Sequence, residues 1–341
     1  MRLNALKIRP TYRLSAPGKG NTCCSMSKTQ DRWIEQDGQT IRYRVIASGN
    51  AAKDHAKDQA KDPSRGRVLI LPGFTEFIEK HEITASRLNA MGLDCLVIDW
   101  PGQGLSGRLS PKYPHVAHCR DFSDHLKALQ VAAGEAGFLD GSMPLFLFGH
   151  SMGGHLALRV SRILSCPIAG AVLSAPMMMP PVLPPGLIRG ASGMLCRLGL
   201  AGYPVRGRHG KPRDDQFYAL NPLTRSPEGY RVQVDWWNRN PALKTTGPSF
   251  GWVNAAYTSC LATTGNAKWL AGVQCPVQVH LADHEVIVSR LHAYRMTARL
   301  PRAEIHHYPS ARHELLLELP DVVELLWQRV GEFINTQLEE D

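Results

Sequence analysis

The chain has 341 residues and a net charge of +9, with 43% hydrophobic and 20% charged residues. These values are typical of a globular protein with one large core, or with one core and a lid. Residues 1–32 hold seven Lys or Arg and one acid, so this segment carries a net charge of +6. The remaining chain therefore carries only +3 of the total +9. No basic stripe with interleaved aromatic residues remains, and nucleic-acid binding is therefore excluded.

Residues 1–30 contain Pro, Gly and Ser and lack hydrophobic periodicity. They include no apolar stretch of signal-peptide length. We predict a disordered leader at 1–30. A true start at Met26 is compatible with this leader, and an organelle-targeting segment is the alternative.

The eight cysteines form no C-x-x-C pair, and no Cys/His spacing resembles a zinc site. Reduced cysteines in apolar strands behave as small hydrophobic residues. The pattern favours a reducing cytoplasm and predicts no metal site.

From residue 41 onward, short apolar runs alternate with helical stretches. Residues 41–46 alternate polar and apolar side chains, as an antiparallel edge strand does, and the polar residues 51–65 predict a solvated loop. Buried strands are predicted at 68–71, 95–98, 145–148, 171–173 and 277–281, and helices near 76–91, 121–134 and 151–164. This alternation predicts an α/β fold with a mostly parallel central sheet and helices on both faces.

Residues 149–153 read Gly-His-Ser-Met-Gly, which is the G-x-S-x-G pattern of a nucleophile elbow. The predicted strand before it and the predicted helix after it are the context that the motif requires. The glycines permit a close approach of backbone segments in the turn. We predict that Ser151 is a catalytic nucleophile, with a bystander serine in a glycine-rich turn as the alternative.

Residues 177–270 break the alternation and are rich in Pro, Gly, Met and Trp. We predict a helical cap here, inserted into a core made of residues 31–176 and 271–341. A second structural subdomain without substrate contact is the alternative.

Residues 166–188 are uncharged, but six prolines argue against a membrane-spanning helix. The apolar residues 177–188 instead suit a peripheral contact of the cap with a lipid surface.

A serine nucleophile needs a histidine base, and that histidine needs an acid, in the chain order Ser, acid, His for this kind of elbow. His313 follows a predicted last strand at 303–308 and a turn, and a helix is predicted to begin directly after it. His306 and His307 compete for the role, but they lie within the strand. We therefore predict His313 as the base.

Two acids follow the strand at 277–281, namely Asp283 and Glu285, and spacing alone does not choose between them.

An oxyanion hole needs two backbone N–H groups. We predict that the N–H of Met152, the residue after the nucleophile, is one of these two groups. We predict that the second group is the N–H of Phe74, which lies in the loop after the strand at 68–71. Gly73 in this loop permits the required backbone direction.

With these features the chain resembles the α/β-hydrolase superfamily, and more narrowly its bacterial lysophospholipase and monoacylglycerol lipase branch. The resemblance covers residues 31–335 and rests on the segments 73–80, 99–106, 149–154 and 285–288. Members of this branch place the catalytic acid two residues before an apolar pair, and this pattern selects Glu285 over Asp283. The chain departs from the branch in having Pro72, Pro101 and a glutamate as the acid.

The resemblance implies an α/β-hydrolase fold with an inserted cap, and hydrolysis of a lysophospholipid or monoacylglycerol through an acyl-enzyme. It implies no cofactor, no metal and no protein partner. A cytoplasmic enzyme, or one peripheral at the inner membrane, is expected. A short-chain carboxylesterase is one alternative. An aminopeptidase is another, and its substrate amine would need cap carboxylates. The sequence offers four of these: Asp214, Asp215, Glu228 and Asp235.

Overall fold

The structure is a computed structural model that describes residues 30–50, 64–182, 184–205 and 215–340. Of the sequence predictions, the leader (except residue 30), most of the loop at 51–65 and Asp214 lie outside the described residues.

Eight strands of the described chain form one sheet in the order β1-β2-β4-β3-β6-β7-β9-β10. These strands are β1 (Asp31–Gln36), β2 (Gln39–Ile46), β3 (Gly66–Leu71), β4 (Leu93–Ile98), β6 (Leu145–His150), β7 (Gly170–Ser174), β9 (Val277–Ala282) and β10 (Ala303–Tyr308). The two pairs that involve β2 are antiparallel, and the other pairs are parallel. The short strands β5 (Val116–Ala117) and β8 (Thr246–Pro248) pair separately. The predicted mostly parallel sheet is confirmed.

The helices lie on both faces of this sheet, as predicted. They are α1 (Glu82–Ala90), α2 (Phe122–Glu135), α3 (Met152–Val160), α4 (Pro185–Leu195), α5 (Pro227–Arg239), α6 (Phe250–Ala262), α7 (Ala267–Leu270), α8 (Arg290–Thr297) and α9 (Pro320–Glu340). Leu69 and Leu71 of β3 pack into the core on the side of α2 and α3, whereas Val68 and Ile70 pack into the core on the side of α1 and α9. Because successive side chains of a strand point to opposite faces, a continuously apolar strand serves two cores at once.

The structure corrects two predictions. Residues 41–46 do not form an edge strand, because β2 lies between β1 and β4. The edge strand on this side of the sheet is β1, in which only Ile34 is buried, so its apolar pattern is weak. The helix expected directly after His313 is also wrong. Residues 315–317 form one 3₁₀ turn, and α9 begins at Pro320, where a fixed φ suits the first helical turn.

Between β7 and β9 the described residues form α4, α5, α6, α7 and β8, and none of them joins the main sheet. The segment starts from inside the protein, since Met177, Met178 and Met179 are buried in the core that holds α3. The Tyr257 hydroxyl in α6 donates to the carbonyl of Val182 at 2.7 Å. This bond ties the approach to α4 to the body of the segment.

Two fully buried histidines in α2 and α3 give folding a predictable pH dependence. Burial lowers the pKa of His125 and of His155 to about 3, from an ordinary 6.5. An unfolded histidine takes up a proton below pH 6.5, and the buried one does so only near pH 3. The free energy of unfolding therefore falls as pH decreases through this window.

We expect the His125→Gln variant to lose less stability than the wild type between pH 7.5 and pH 5. One histidine with an unfolded pKa of 6.5 accounts for about 2 kcal/mol over that range. Urea denaturation at both pH values measures the difference, and groups common to both proteins cancel. An equal loss of stability in the two proteins would contradict the prediction.

Candidate active site

The turn between β6 and α3 holds Ser151 in a conformation that is rare for a residue with a side chain, with φ 52° and ψ −115°. The turn passes very close to its neighbours. A Cβ on Gly153 would lie 1.8 Å from the carbonyl oxygen of Leu71 in β3, and one on Gly149 would lie 2.5 Å from the carbonyl oxygen of Gly153. Glycine is therefore required at both positions. The strained turn places Ser151 at the carboxyl end of a central strand, where ligands bind in parallel sheets.

The structure brings Ser151, His313 and Glu285 together in one hydrogen-bonded chain. Ser151 Oγ lies 2.9 Å from His313 Nε2, and His313 Nδ1 lies 2.6 Å from Glu285 Oε2. All three residues are buried. A carboxylate can only accept, so Nδ1 carries the proton, and Nε2 is left to accept the proton of the serine hydroxyl.

Glu285 is fixed in its ionised form. Its Oε1 accepts hydrogen bonds from the backbone N–H groups of Ile287 at 2.7 Å and Val288 at 3.1 Å. Burial opposes the charge, but His313, by its charge when protonated and by its hydrogen bond, lowers the pKa of Glu285 below its ordinary value together with these two N–H groups. The apolar pair after the acid thus supplies two backbone donors for the carboxylate.

The competing candidates lie elsewhere. Asp283 accepts a hydrogen bond from the hydroxyl of Tyr294 and lies 3.4 Å from His307 Nδ1. His306 Nε2 lies 2.7 Å from the carboxylate of Glu304. The structure therefore joins none of Asp283, His306 and His307 to Ser151.

We expect Glu285→Gln to lower kcat by about 10³- to 10⁴-fold, because an amide no longer stabilises the charged imidazole or fixes its tautomer. The matched variant Asp283→Asn is expected to stay within about threefold of the wild type, as a surface substitution away from the site should. Steady-state ester hydrolysis by both variants measures this. The reverse order of effects would assign the acid to Asp283.

The loop after β3 contains Phe74, whose N–H we predicted as an oxyanion donor. The N–H of Gly73 donates to Glu76 Oε2, and the N–H of Thr75 donates to Gln103 Oε1. Within the described ranges, the N–H groups of Phe74 and Met152 donate to no protein acceptor. The two amides predicted for the oxyanion hole are therefore available, and the bonds on either side of Phe74 hold its backbone in place.

Five buried residues next to Ser151 and His313 form a network that we call the charge network, namely Glu76, Lys80, His81, His150 and Glu314. Lys80 Nζ lies 2.5 Å from Glu76 Oε1 and 2.8 Å from Glu314 Oε1. His81 Nε2 lies 2.8 Å from Glu76 Oε2, and His150 Nε2 lies 3.5 Å from Glu314 Oε2. All five residues are buried. One ammonium group thus bridges two carboxylates inside the protein.

The pKa shifts agree with a network of fixed charges. Burial opposes the charge of Lys80, but Glu314 and Glu76 outweigh burial and raise the pKa of the ammonium group. Burial likewise opposes the charge of Glu314, but Lys80 and His150 lower the pKa of this carboxyl to about 2. The carboxylates and the ammonium group therefore stay charged at neutral pH.

The charge network joins three segments of the site. Glu76 holds the loop of Phe74, His150 precedes Ser151, and Glu314 follows His313. Ligand atoms of Glu76, His150 and Glu314 lie within 4.8 Å of one another, a spacing that could hold a metal ion. The Lys80 ammonium group already bridges both carboxylates there, so a metal ion would have to displace it. The network is a better fit to a lysine than to a metal.

Sequence reasoning missed this network. The sequence contained two hints of it. The opposite charges of Glu76 and Lys80 are four residues apart, and Glu314 directly precedes the apolar run 315–317. The pairing itself joins positions 234 residues apart, namely Lys80 and Glu314. Spacing along the chain cannot reveal such a contact.

Known lysophospholipases are similar to this chain in sequence. A probable lysophospholipase L2 of Haemophilus influenzae is 28% identical over 287 residues, which cover 82% of this chain and 87% of that protein. Lysophospholipase L2 of Escherichia coli K12 is 29% identical over 195 residues, 54% of each chain. These names agree with the predicted enzyme class, a carboxylic ester hydrolase similar to lysophospholipases.

Solved structures confirm the predicted α/β-hydrolase fold. A soluble variant of monoglyceride lipase from Saccharomyces cerevisiae, in complex with a substrate analog, matches with a TM-score of 0.71 and 18% identity over 94% of this chain and 99% of that chain. Monoacylglycerol lipase of Paleococcus ferrophilus matches with a TM-score of 0.64 and 19% identity, over 87% of this chain and 99% of that chain. The family model described as serine aminopeptidase, S33, matches residues 62–320. The chain therefore belongs to the serine aminopeptidase S33 family of α/β-hydrolases.

Proposed function

We propose that this enzyme is a serine hydrolase that cleaves a lysophospholipid or a monoacylglycerol through an acyl-enzyme on Ser151. The hydrogen-bonded chain from Ser151 through His313 to Glu285 is the observation that carries the proposal. The relatives named lysophospholipase and monoglyceride lipase support the substrate class.

In the acylation step, His313 Nε2 takes the hydroxyl proton as Ser151 Oγ forms a bond to the ester carbonyl carbon. The N–H groups of Phe74 and Met152 stabilise the negative charge that develops on the carbonyl oxygen. Glu285 stabilises the imidazolium at the same moment. The tetrahedral intermediate then collapses, the bond to the leaving alkoxide breaks, and His313 donates its proton to the departing alcohol.

Deacylation repeats these events with water. His313 Nε2 takes a proton from the water molecule, whose oxygen forms a bond to the acyl carbon. The bond to Ser151 Oγ breaks, the serine regains its proton from His313, and the fatty acid leaves. The protein's own groups move every proton in this cycle.

The apolar surroundings of the nucleophile suit an acyl chain. The N–H of Met177 donates to the carbonyl of Ser151 at 2.9 Å, which places this methionine beside the elbow. The ring of Phe74 lies 4.3 Å from the ring of Trp252 in α6, between centroids. Trp252 lies 5.7 Å from the ring of Phe122. Apolar and aromatic side chains therefore lie between the loop of Phe74 and the α6 helix, which supports a substrate with an acyl chain.

The carboxylates that an aminopeptidase would need receive no such support. Asp215, Glu228 and Asp235 are exposed. Asp215 lies 2.9 Å from Lys244, and Glu228 lies 3.2 Å from Arg231. Carboxylates that are solvated and paired with a neighbouring cation are poor candidates for holding a substrate amine.

The proposal is tested by hydrolysis of palmitoyl-lysophosphatidylcholine, monooleoylglycerol, 4-nitrophenyl butyrate and leucine 4-nitroanilide under one set of conditions. We expect the long-chain lipids to give kcat/KM values at least tenfold above that of butyrate, because each buried methylene group adds binding energy. The better lipid then identifies the head group. A preference for butyrate would make the protein a short-chain carboxylesterase, and turnover of the anilide alone would make it an aminopeptidase.

A further inference from the structure

The indole N–H of Trp252 is a buried donor without an acceptor. Trp252 lies in the first turn of α6 and exposes only 7% of its surface. Its Nε1 atom is buried and has no hydrogen-bond partner among the described residues. A donor that has lost water and gained no acceptor destabilises the folded protein, so most buried donors are paired. A ligand that supplies the missing acceptor explains why such a group is present in a binding site.

Trp252 packs on the loop that carries one of the amides proposed for the oxyanion hole. The centroid of its ring lies 4.3 Å from the centroid of the Phe74 ring, and the N–H of Phe74 is that amide. A substrate whose carbonyl oxygen binds this N–H would lie within about one side-chain length of the indole. Ser151 is itself buried, so a substrate that reaches it displaces the side chains that cover the site. The N–H of Trp252 is therefore placed to meet a bound substrate.

The start of α6 holds the indole in place. Ser249 Oγ accepts a hydrogen bond from the backbone N–H of Trp252 at 3.1 Å and lies 2.8 Å from His118 Nδ1. Both Ser249 and His118 are buried. A Cβ on Gly251 would lie 2.5 Å from Cε1 of His118, so the helix approaches this imidazole as closely as only glycine permits. A donor that is fixed in this way needs little ordering when a ligand binds.

The unpaired group indicates the chemistry of its ligand. An indole N–H only donates, so it needs an acceptor such as an oxygen atom. The acyl side of an ester offers only the carbonyl oxygen, which the two backbone amides of the oxyanion hole would bind. The leaving alcohol of a monoacylglycerol offers hydroxyl oxygens, and that of a lysophospholipid also offers phosphate oxygens. The missing acceptor therefore belongs to the alcohol side of the ester.

We propose that the indole N–H of Trp252 binds an oxygen of the leaving alcohol and so makes Trp252 a specificity-determining residue. It would select esters of glycerol and of glycerophosphodiesters over esters of simple alcohols. The inference rests on the proposed function, because it needs an ester bound at Ser151. Binding to the Ser151→Ala protein requires no turnover, so the two proposals can fail separately.

The kinetic test compares three esters that share one acyl chain, namely propyl butyrate, monobutyroylglycerol and butyryl-lysophosphatidylcholine. Trp252→Phe keeps an aromatic ring against Phe74 but removes the N–H. We expect its kcat/KM for the two polar esters to fall at least about tenfold relative to that for propyl butyrate. An equal fall for both would identify a shared glycerol hydroxyl as the acceptor. A fall for only one would identify the group that it alone carries, the third hydroxyl or the phosphate.

Trp237→Phe is the matched control for this comparison. Trp237 Nε1 in α5 is also buried without a partner among the described residues, but the ring of Trp237 lies 4.9 Å from the ammonium group of Lys244. The control therefore removes an equally unpaired indole N–H from the same segment between β7 and β9. We expect it to change kcat/KM for the three esters by one common factor.

The binding test observes the indole N–H itself in the Ser151→Ala protein, in which no ester is consumed. With ¹⁵N-labelled indoles, the seven tryptophans give separate N–H signals, and Trp252→Phe in the same background identifies the signal of Trp252. We expect monobutyroylglycerol to shift this proton downfield, as a new hydrogen bond does. Propyl butyrate at the same concentration should shift it much less.

Three results would overturn the assignment to Trp252. An equal fall of kcat/KM for all three esters in Trp252→Phe, or no fall for any of them, would leave the residue only a packing role. A selective fall in Trp237→Phe alone would move the role to that residue. An indole proton that both esters shift alike, or that neither shifts, would show that the alcohol supplies no acceptor. Turnover by the wild type without the selective shift would remove only this inference, and the selective shift without turnover would remove only the proposed activity.

Discussion

Replacing Ser151 with alanine is expected to lower kcat for ester hydrolysis by about 10³- to 10⁶-fold, the range seen when the nucleophile of a serine hydrolase is removed. The effect is large because no acyl-enzyme can form without Oγ, even though His313 and Glu285 remain. Ser161→Ala, at the end of α3, is the matched control. Its hydroxyl caps the carbonyl of Leu158 at 2.9 Å and lies outside the triad.

The folded state should survive the Ser151→Ala change, because alanine adds no atom to the crowded turn. Equal urea midpoints for the two variants would show this. Activity of the Ser151→Ala protein within tenfold of the Ser161→Ala protein would place the nucleophile elsewhere and remove the basis of the proposed mechanism.

The largest loss of stability is expected from Lys80→Met. The variant leaves Glu76 and Glu314 close together inside the protein without the ammonium group that lies within 2.8 Å of each. Breaking a buried ion pair by removing one partner costs about 3–5 kcal/mol of unfolding free energy. The exposed residue Lys127 lies 3.9 Å from Asp124, and Lys127→Met should cost less than about 1 kcal/mol.

Urea denaturation of both lysine variants measures the difference. Neutralising the carboxylates in Lys80→Met, Glu76→Gln, Glu314→Gln should recover part of the loss, since the uncompensated charges are then gone. A Lys80→Met protein as stable as Lys127→Met would show that the charge network contributes little. A triple variant less stable than Lys80→Met would show that the cost does not come from unpaired charge.

The sequence was most informative where the strands are buried on both faces. The strands β3, β4, β6, β7 and β9 are short apolar runs, and their alternation with helices was enough to predict the parallel sheet. The strand β1 was missed because only one of its six residues is buried. An edge strand with one buried side chain leaves almost no pattern in the sequence.

For the site, a short motif fixed the local structure around Ser151, because the turn needs glycines at specific positions. The choice between Asp283 and Glu285 could not follow from spacing. In the structure, the N–H groups of Ile287 and Val288 hold the carboxylate of Glu285. The carboxylate of Asp283 instead accepts a hydrogen bond from Tyr294. Such contacts form only after the chain has folded.

The central claim, that Ser151 forms the covalent intermediate, is tested most directly by intact mass and peptide mapping after reaction with a fluorophosphonate. We predict a single adduct on the peptide that contains Ser151, no adduct in Ser151→Ala, and slower labelling in Glu285→Gln. An unlabelled Ser151 in a protein that still hydrolyses esters, or a stoichiometric adduct on another residue, would contradict the claim.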